Sequence, residues 1–399
     1  MNSSDLPVLM TYVARRALGP FAVLTAVLLF ALTLERVLSL VQAVTQLGAP
    51  IYTVGELVAY LLPHYLGLAI PAAWFLGVLI GFRGLQRDSE LTVMRASGVP
   101  LRSLLVPLLA VSLVLSLVLA GLTGYLQPYT RYAYRACLQE LKRRDFWSKL
   151  QPSVFTPVEG NRSVIRVGAV ENDGRLLKDF FASYQKEDRH RVFVSARQAV
   201  VEAPVAGRSD ADTTLDLQDG MLVVREDPAE ASPRMMSMSF EVFPWSLSET
   251  GLLPPYGRRG QDEREMTFGE LLANNAPVAP TGVTPAHRLT EWHSRMVKCA
   301  SVPMLAVLAV PLALLGRGRS SRAYGFVIGV VLLVLYQKIH GTGEAYGKLG
   351  QLSPGISVWF PYALFTVLAA ALFHWFGGDR NVSAPRGRRP ASGSPRPAG

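Results

Sequence analysis

The sequence predicts a membrane α-helical protein: six transmembrane helices, three plus three, around an inserted all-β domain of sandwich type. Three observations predict it. The 399 residues are 50% hydrophobic and only 18% charged, with mean hydropathy +0.24, too apolar for an ordinary soluble protein. Six apolar runs are each long enough to cross a bilayer, three near either end. Between the two groups the hydrophobic period switches to two, the signature of half-buried strands.

Residues 1–16 are polar and then basic, and 19–34 are continuously apolar, which resembles the start of a secretory signal. No small-x-small cleavage site follows, and Val37, Leu38, Leu40 and Val41 resume the pattern, so the expectation is an uncleaved span over 18–44. A second span is expected over 54–82, with a tilt or a break at Pro63 or Pro71, and a third over 99–126. Between these two lies a charged amphipathic stretch, Arg83 to Arg102. On a helix from Asp88, Leu91, Met94 and, less regularly, Val93 share a face, while Arg87, Glu90 and Arg95 turn elsewhere. Ser97-Gly98 stops that helix and Pro100 opens the next. By composition alone, an ordinary positive-inside loop accounts for this stretch equally well.

The segment 129–150 carries Arg131, Arg135, Lys142, Arg143 and Arg144 with Leu138 and Leu141, as a helix leaving the membrane would. Strands are expected over 163–167, 179–184, 191–196, 198–202, 214–218, 221–224 and 236–243, split by Gly, Asp, Asn and Pro. Thr267-Phe-Gly-Glu270 is a capping box opening a short helix. An amphipathic stretch over 287–298 leads back into spans over 297–315, 323–339 and 356–376. The chain therefore divides into 1–128, 129–296, 297–377 and a Pro, Gly, Ser and Arg-rich tail over 378–399, expected to be disordered.

Orientation follows from cations in short flanks. Arg15, Arg16, Arg83, Arg87, Arg95, Arg102, Arg317, Arg319, Arg322, Arg380, Arg386, Arg388 and Arg389 fall on one side, whereas the short loops opposite offer only Lys348. Both termini and the charged loop are expected in the cytoplasm, and the middle segment on the far side. The net charge of +10 is thereby explained by topology, and nucleic acid is not expected as a partner. Cys137 and Cys299 have no metal-type spacing and are too few for a disulfide framework; two thiols are expected.

No phosphate loop, His-Glu-x-x-His, Gly-x-Ser-x-Gly or Cys/His cluster is present in the sequence, and the six histidines are scattered. No catalytic residue, metal or cofactor is expected, so energy for any transport must come from a partner. Ionisable residues within spans are costly and usually tied to function. Arg36, beside Glu35 in the first span, and Lys338, ending the fifth beside His340, are candidate contacts for a phosphorylated lipid headgroup. Snorkelling to the interface accounts for both as simply.

Four features together resemble the LptF/LptG (YjgP/YjgQ) family of lipopolysaccharide-export permeases. They are the loop from Arg87 to Gly98, the span Leu62-Pro-His-Tyr-Leu-Gly-Leu-Ala-Ile-Pro71 running to Phe75-Leu-Gly-Val-Leu79, the return Glu291-Trp-His-Ser-Arg-Met296 with Val310-Pro-Leu312, and the topology itself. The first half is more similar to the LptF branch. The resemblance implies a bacterial inner-membrane subunit, not an enzyme, that pairs with a homologous permease and a cytoplasmic ATPase dimer, the latter binding the ATP. It implies extraction of lipopolysaccharide and its passage through a periplasmic β-jellyroll to a jellyroll bridge protein. It also implies that Arg87, Asp88, Ser89, Glu90, Val93, Met94 and Arg95 contact the ATPase, with Glu90 pairing to a basic residue there. Other readings of the residues are a permease of another lipid or lipoprotein ABC system, or a membrane scaffold or receptor whose β domain binds a protein.

Overall fold

In the computed structural model the described residues are 5–148, 152–158, 163–171, 176–185, 190–202, 214–225, 235–246, 259–260, 262–273, 283–315 and 324–377. The tail over 378–399 and the stretch carrying Arg317, Arg319 and Arg322 lie outside them.

Among the described residues, six helices are long and apolar enough to cross a membrane. The first, α1 (Asp5–Gln46), begins well before the apolar run, because Met10 to Leu18 contains no helix breaker and continues it. A Gly48 turn leads into α2 (Tyr52–Arg87), which passes both Pro63 and Pro71 without ending. The expected break is absent. The seven-residue α3 (Glu90–Ala96) follows, and then α4 (Leu101–Gly121). A π-helical turn over Leu122–Leu126 joins α4 to α5 (Gln127–Ser148) with no interruption of the helical path. Phe268 packs on that turn, its ring so close to Gly124 that a Cβ there would collide with it; π turns occur mostly as such single-turn bulges inside α-helices. After the β segment come a short 3-10 turn (Glu263–Glu265), α6 (Phe268–Leu272), α7 (Pro285–Leu314), α8 (Tyr324–Lys348) and α9 (Pro354–Gly377).

α7 is the most enclosed span, packed against α2, α4, α8 and α9. Its Val302, Leu305, Leu308, Ala309 and Leu312 meet Trp74, Phe75, Val78 and Leu79 of α2 in one apolar core. α1 lies at the edge, packing mainly on α2 and leaving Val23, Val27, Phe30 and Leu38 exposed.

Among the described residues of the middle segment the strands form one seven-stranded antiparallel sheet, where a sandwich was expected. Its strands are β1 (Thr156–Val158), β2 (Ser163–Arg166), β3 (Ala169–Glu171), β4 (Leu176–Gln185), β5 (Arg191–Glu202), β6 (Thr214–Arg225) and β7 (Met235–Ser246). The order is β1-β2-β4-β5-β6-β7, with β3 also on β4. The stretches 191–196 and 198–202, expected as two strands, form one; so do 214–218 and 221–224. The sequence breaks are nevertheless real. Asp179 and Asp219 both sit at φ 50°, and the flanking pairs Lys178↔Gln198, Phe180↔Ala196, Ala196↔Gly220 and Gln198↔Gln218 put Arg197 level with both. Along β5 the buried face runs Val192, Val194, Ala196 and then Ala199, so the alternation slips at Arg197. A line of irregular residues therefore crosses three strands, where the sheet changes which side chains it buries.

Candidate functional site

The charged stretch folds as a hinged surface helix. α2 ends at Arg87, and Asp88-Ser89 reverse the chain, with Ser89 in the left-handed region at φ 61°. At the other end, Val99 N–H donates to Met94 C=O at 3.1 Å and Gly98 N–H to Arg95 C=O at 3.1 Å. With Gly98 at φ 88° this is a Schellman cap, and the accompanying apolar contact is Met94 with Val99 in the helix-bundle core. The helix starts at Glu90, not Asp88. Leu91 is buried and Met94 half-buried against the bundle, whereas Val93 is 67% exposed. Val93 therefore does not share the Leu91 face: two residues along a helix is about 200° of rotation.

Glu90 is held from within the chain. Tyr12 Oη donates to Glu90 Oε2 at 2.7 Å, and Arg16 Nη2 donates to Glu90 Oε1 at 2.9 Å. Arg16 Nε also donates to Tyr12 Oη at 3.0 Å, closing the ring of contacts, and Nη2 reaches Asp88 Oδ2 at 3.4 Å. Arg87, 75% exposed, pairs with Asp88 at 3.2 Å. Sequence alone marks Arg15 and Arg16 only as cations on the cytoplasmic flank. What positions them is a close helix contact: a Cβ on Gly81 would lie 2.8 Å from Arg16 C=O, and one on Gly77 2.9 Å from Phe21 Cβ. The Gly77-x-x-x-Gly81 spacing, legible in the sequence, lets the two backbones touch.

The two candidate headgroup cations are placed apart. Arg36 is exposed on α1, with Nη2 3.4 Å from Tyr134 Oη of α5. Lys338 is exposed on α8 and lines an apolar cavity of about 330 Å³ between α8 and α9 with Thr342, Tyr346, Leu352, Ile356 and Phe360. α1 packs on α2 and α4, and α8 on α7, α9 and α2, so this chain alone does not gather the two cations.

At the opposite end of the bundle from α3, a second cluster of charges was missed. Arg295 of α7, 2% exposed, donates from Nε to Glu291 Oε1 at 2.9 Å, from Nη1 to Met266 C=O at 2.7 Å and from Nη2 to Arg264 C=O at 3.2 Å. Lys348 of α8 pairs with Glu344 at 3.0 Å, Glu263 at 3.1 Å and Glu291 at 3.4 Å. On α5, Arg131 meets Asp262 at 3.2 Å and Arg135 meets Glu265 at 2.9 Å. The segment returning from the sheet is thus fastened to three helices. The signal was Glu291 and Arg295 one turn apart. The capping box at Thr267 is formed, with Glu270 Oε2 accepting from Thr267 N–H at 2.8 Å.

The carboxyls in this segment diverge. Burial pushes Glu265 up, and the Arg135 guanidinium only partly offsets it. For Asp262 burial also pushes up, but the Arg264 N–H and the Arg131 charge outweigh it and hold the group below its ordinary value. Glu270 is likewise held low, burial being outweighed by Thr267 N–H and Arg259. Cys137 lies on α5 and Cys299 on α7, with no disulfide between them. Among the described residues no cluster of His, Cys, Asp or Glu suits a metal.

The sequence profile of a family described as "Lipopolysaccharide export system permease LptF/LptG" matches residues 11–375. The chain is 22% identical over 379 residues to the lipopolysaccharide export system permease protein LptF of Escherichia coli strain K12, spanning 92% of this chain and 95% of that one. The same figures hold for the LptF proteins of Escherichia coli O157:H7 and Shigella flexneri.

Proposed function

This chain belongs to the LptF/LptG family of lipopolysaccharide export system permeases, and from that premise we propose that it extracts lipopolysaccharide from the inner membrane as one of two paired permeases driven by a separate cytoplasmic ATPase dimer. The observation that carries the reading is the match over residues 11–375, which takes in both groups of helices, the coupling helix and the sheet. Residues 1–128 and 297–377 form the two three-span halves, with both termini and α3 in the cytoplasm. The sheet lies in the periplasm as a jellyroll, handing lipid to a bridge protein of the same kind.

Lipid transfer by this route has a physical requirement. Each methylene exposed to water costs about 0.8 kcal/mol, so a molecule with several acyl chains must travel along an apolar path. The sheet supports such a path, since its buried face carries Phe180, Val194, Leu217 and Trp245 with Tyr184 and Phe243 packed beside them. Arg36 and Lys338 would meet the phosphorylated headgroup, Lys338 beside an apolar cavity suited to hydrocarbon and Arg36 at the edge helix, the two drawn together only across the pair of permeases.

α3 would carry the push of the ATPase. Its exposed face, with Val93 at 67% exposure, is what a groove on the ATPase would receive, while Leu91 and Met94 fasten it to the bundle. Arg87, Asp88, Ser89, Glu90, Arg95 and the part of Met94 not covered by the bundle complete the contact. Neither this chain nor its lipid supplies ATP hydrolysis.

The test is co-purification from native membranes followed by reconstitution. The expected result is a second permease of similar topology and a nucleotide-binding subunit, with ATP-dependent release of lipopolysaccharide lost in Glu90→Ala. Recovery of the chain alone, or with unrelated envelope proteins, overturns the reading.

A further inference from the structure

Glu90 lies on the segment assigned to the ATPase, yet both of its carboxylate oxygens are already engaged by α1. Oε2 accepts from Tyr12 and Oε1 from Arg16, at 2.7 and 2.9 Å, and the two donors are themselves bonded at 3.0 Å. The three groups form a closed ring of charge-assisted hydrogen bonds, which fixes geometry more firmly than a single ion pair.

Two further features give that ring a mechanical meaning. α3 is hinged at both ends by left-handed residues, Ser89 at φ 61° and Gly98 at φ 88°. A seven-residue helix on two such hinges is poorly fixed by its own backbone. Its side-chain attachments among the described residues are the apolar contacts of Leu91 and Met94 and the Glu90 ring, with Arg16 also reaching Asp88, just before the helix, at 3.4 Å. On the other side, the backbone of α1 at Arg16 and Ala17 rests directly on Gly77 and Gly81 of α2, and Ala17 is fully buried. Beyond that seat α1 runs on to Gln46 as one 42-residue helix, about 63 Å long, with 6% of its most apolar window buried. A displacement at its seated end is therefore carried along the contact of α1 with α2 toward the far end, where Leu40 and Val44 pack on Val54 and Leu57.

We infer that the start of α1 is part of the coupling element, with Tyr12 and Arg16 as positioning residues that clamp Glu90 so that movement of α3 is passed to α1. This rests on the reading of α3 as the ATPase contact. It assigns Glu90 an internal partner 74 positions away in the chain, rather than only a cation on the ATPase. The clamp residues are about one-third exposed, Arg16 at 38% and Glu90 at 31%, so the clamp serves to set register and not to hold the fold together.

The experiment uses the full reconstituted complex and reads lipopolysaccharide released per ATP hydrolysed. Loss of assembly lowers both quantities together, so this ratio responds to coupling and not to yield. The variants are Arg16→Gln, Tyr12→Phe, Glu90→Gln and the double Arg16→Gln/Glu90→Gln. Arg102→Gln removes an exposed cation on the same side that touches none of these groups. The expected result is a fall in the ratio of about fivefold for Arg16→Gln, a smaller fall for Tyr12→Phe, a double variant no worse than Glu90→Gln alone, and no change for Arg102→Gln. The exchanged pair Arg16→Glu/Glu90→Arg is expected to recover part of the ratio.

A normal ratio in Arg16→Gln and Tyr12→Phe with a lowered one in Glu90→Gln overturns the clamp and leaves the ATPase contact standing. Additive losses in the double variant also overturn it, since they assign the two residues to separate partners. A normal ratio in Glu90→Gln removes the coupling role of α3 and the clamp with it.

Discussion

Arg295 and Glu291 stand one turn apart on α7, 2.9 Å from each other, and both are almost completely buried. Arg295 also donates to backbone carbonyls of the segment arriving from the sheet, so this ion pair is one of the fastenings of that segment to the helices. Removing Arg295 leaves the buried Glu291 with Lys348, at 3.4 Å, as its remaining ion-pair partner and leaves three backbone carbonyls without their donor. Arg295→Met is expected to cost about 3–5 kcal/mol, read as a lowered unfolding temperature of the detergent-solubilised complex. The double Arg295→Met/Glu291→Leu should cost clearly less, because no uncompensated charge remains; equal losses would count against this account.

Asp262 and Glu270, whose folded values lie below their ordinary ones, contribute stability that is complete above about pH 4 and is lost as pH falls through their lower folded values. Glu265, pushed up, has the opposite sign: its contribution is largest below about pH 4.5 and declines as pH rises through its folded value. The hydrogen-exchange protection factors of residues 262–273, taken relative to the intrinsic rate at each pH, are therefore expected to fall below about pH 4. Asp262→Asn should lose protection at neutral pH and flatten the acid response. Glu265→Gln should keep Gly260 N–H supplied with an acceptor while removing the rise-side loss.

The seat of α1 on Gly77 and Gly81 leaves no room for a side chain on that face of α2. Gly81→Leu is expected to separate the helices at a cost of about 1–3 kcal/mol, and with them Arg16 from Glu90. Cross-linking between cysteines placed at the seat would fall in this variant; unchanged cross-linking would show that the contact has slack.

Opposite outcomes are expected at the two hinges of α3. Gly98→Ala forces a side chain into φ 88° and should destabilise the segment by about 1–2 kcal/mol. Ser89→Gly, at φ 61°, should be neutral or stabilising by up to about 1 kcal/mol. Limited proteolysis within residues 87–102 is the readout, faster for the first and no faster for the second.

Much of the architecture was legible beforehand, for reasons that can be named. The apolar runs around Leu28, Val78, Leu115, Leu308, Val331 and Phe365 are each long enough to span a hydrocarbon core, and every one is a helix. Arg197 and Asp219 were read as gaps between strands; they are where two long strands slip their alternation without breaking their pairing. That misreading has a clear source. Period-two patterning reports which side a residue faces, and a slip in facing resembles an end of strand until the partner strand is known.

The site was legible only in outline. Leu91 and Met94 share the face of α3 that packs on the bundle, as their spacing predicts, whereas Val93, expected less regularly on that face, points away, because two residues along a helix is about 200° of rotation wherever the helix begins. The clamp on Glu90 was not visible at all: Tyr12 and Arg16 looked like ordinary flanking residues.

Adjacent residues by themselves determined the membrane class, the spans, the switch to strands, the capping box at Thr267 and the position of a hinged charged helix, because bilayer thickness and helical or pleated spacing act on neighbours in the chain. Tertiary structure alone decided that Glu90 belongs to Tyr12 and Arg16, that Arg295 gathers the carbonyls of Met266 and Arg264, and that Lys348 serves Glu263, Glu291 and Glu344. A charge in a low-dielectric setting takes whichever partner the packing brings within about 3 Å, and that partner is set by how helices far apart in sequence come to lie together.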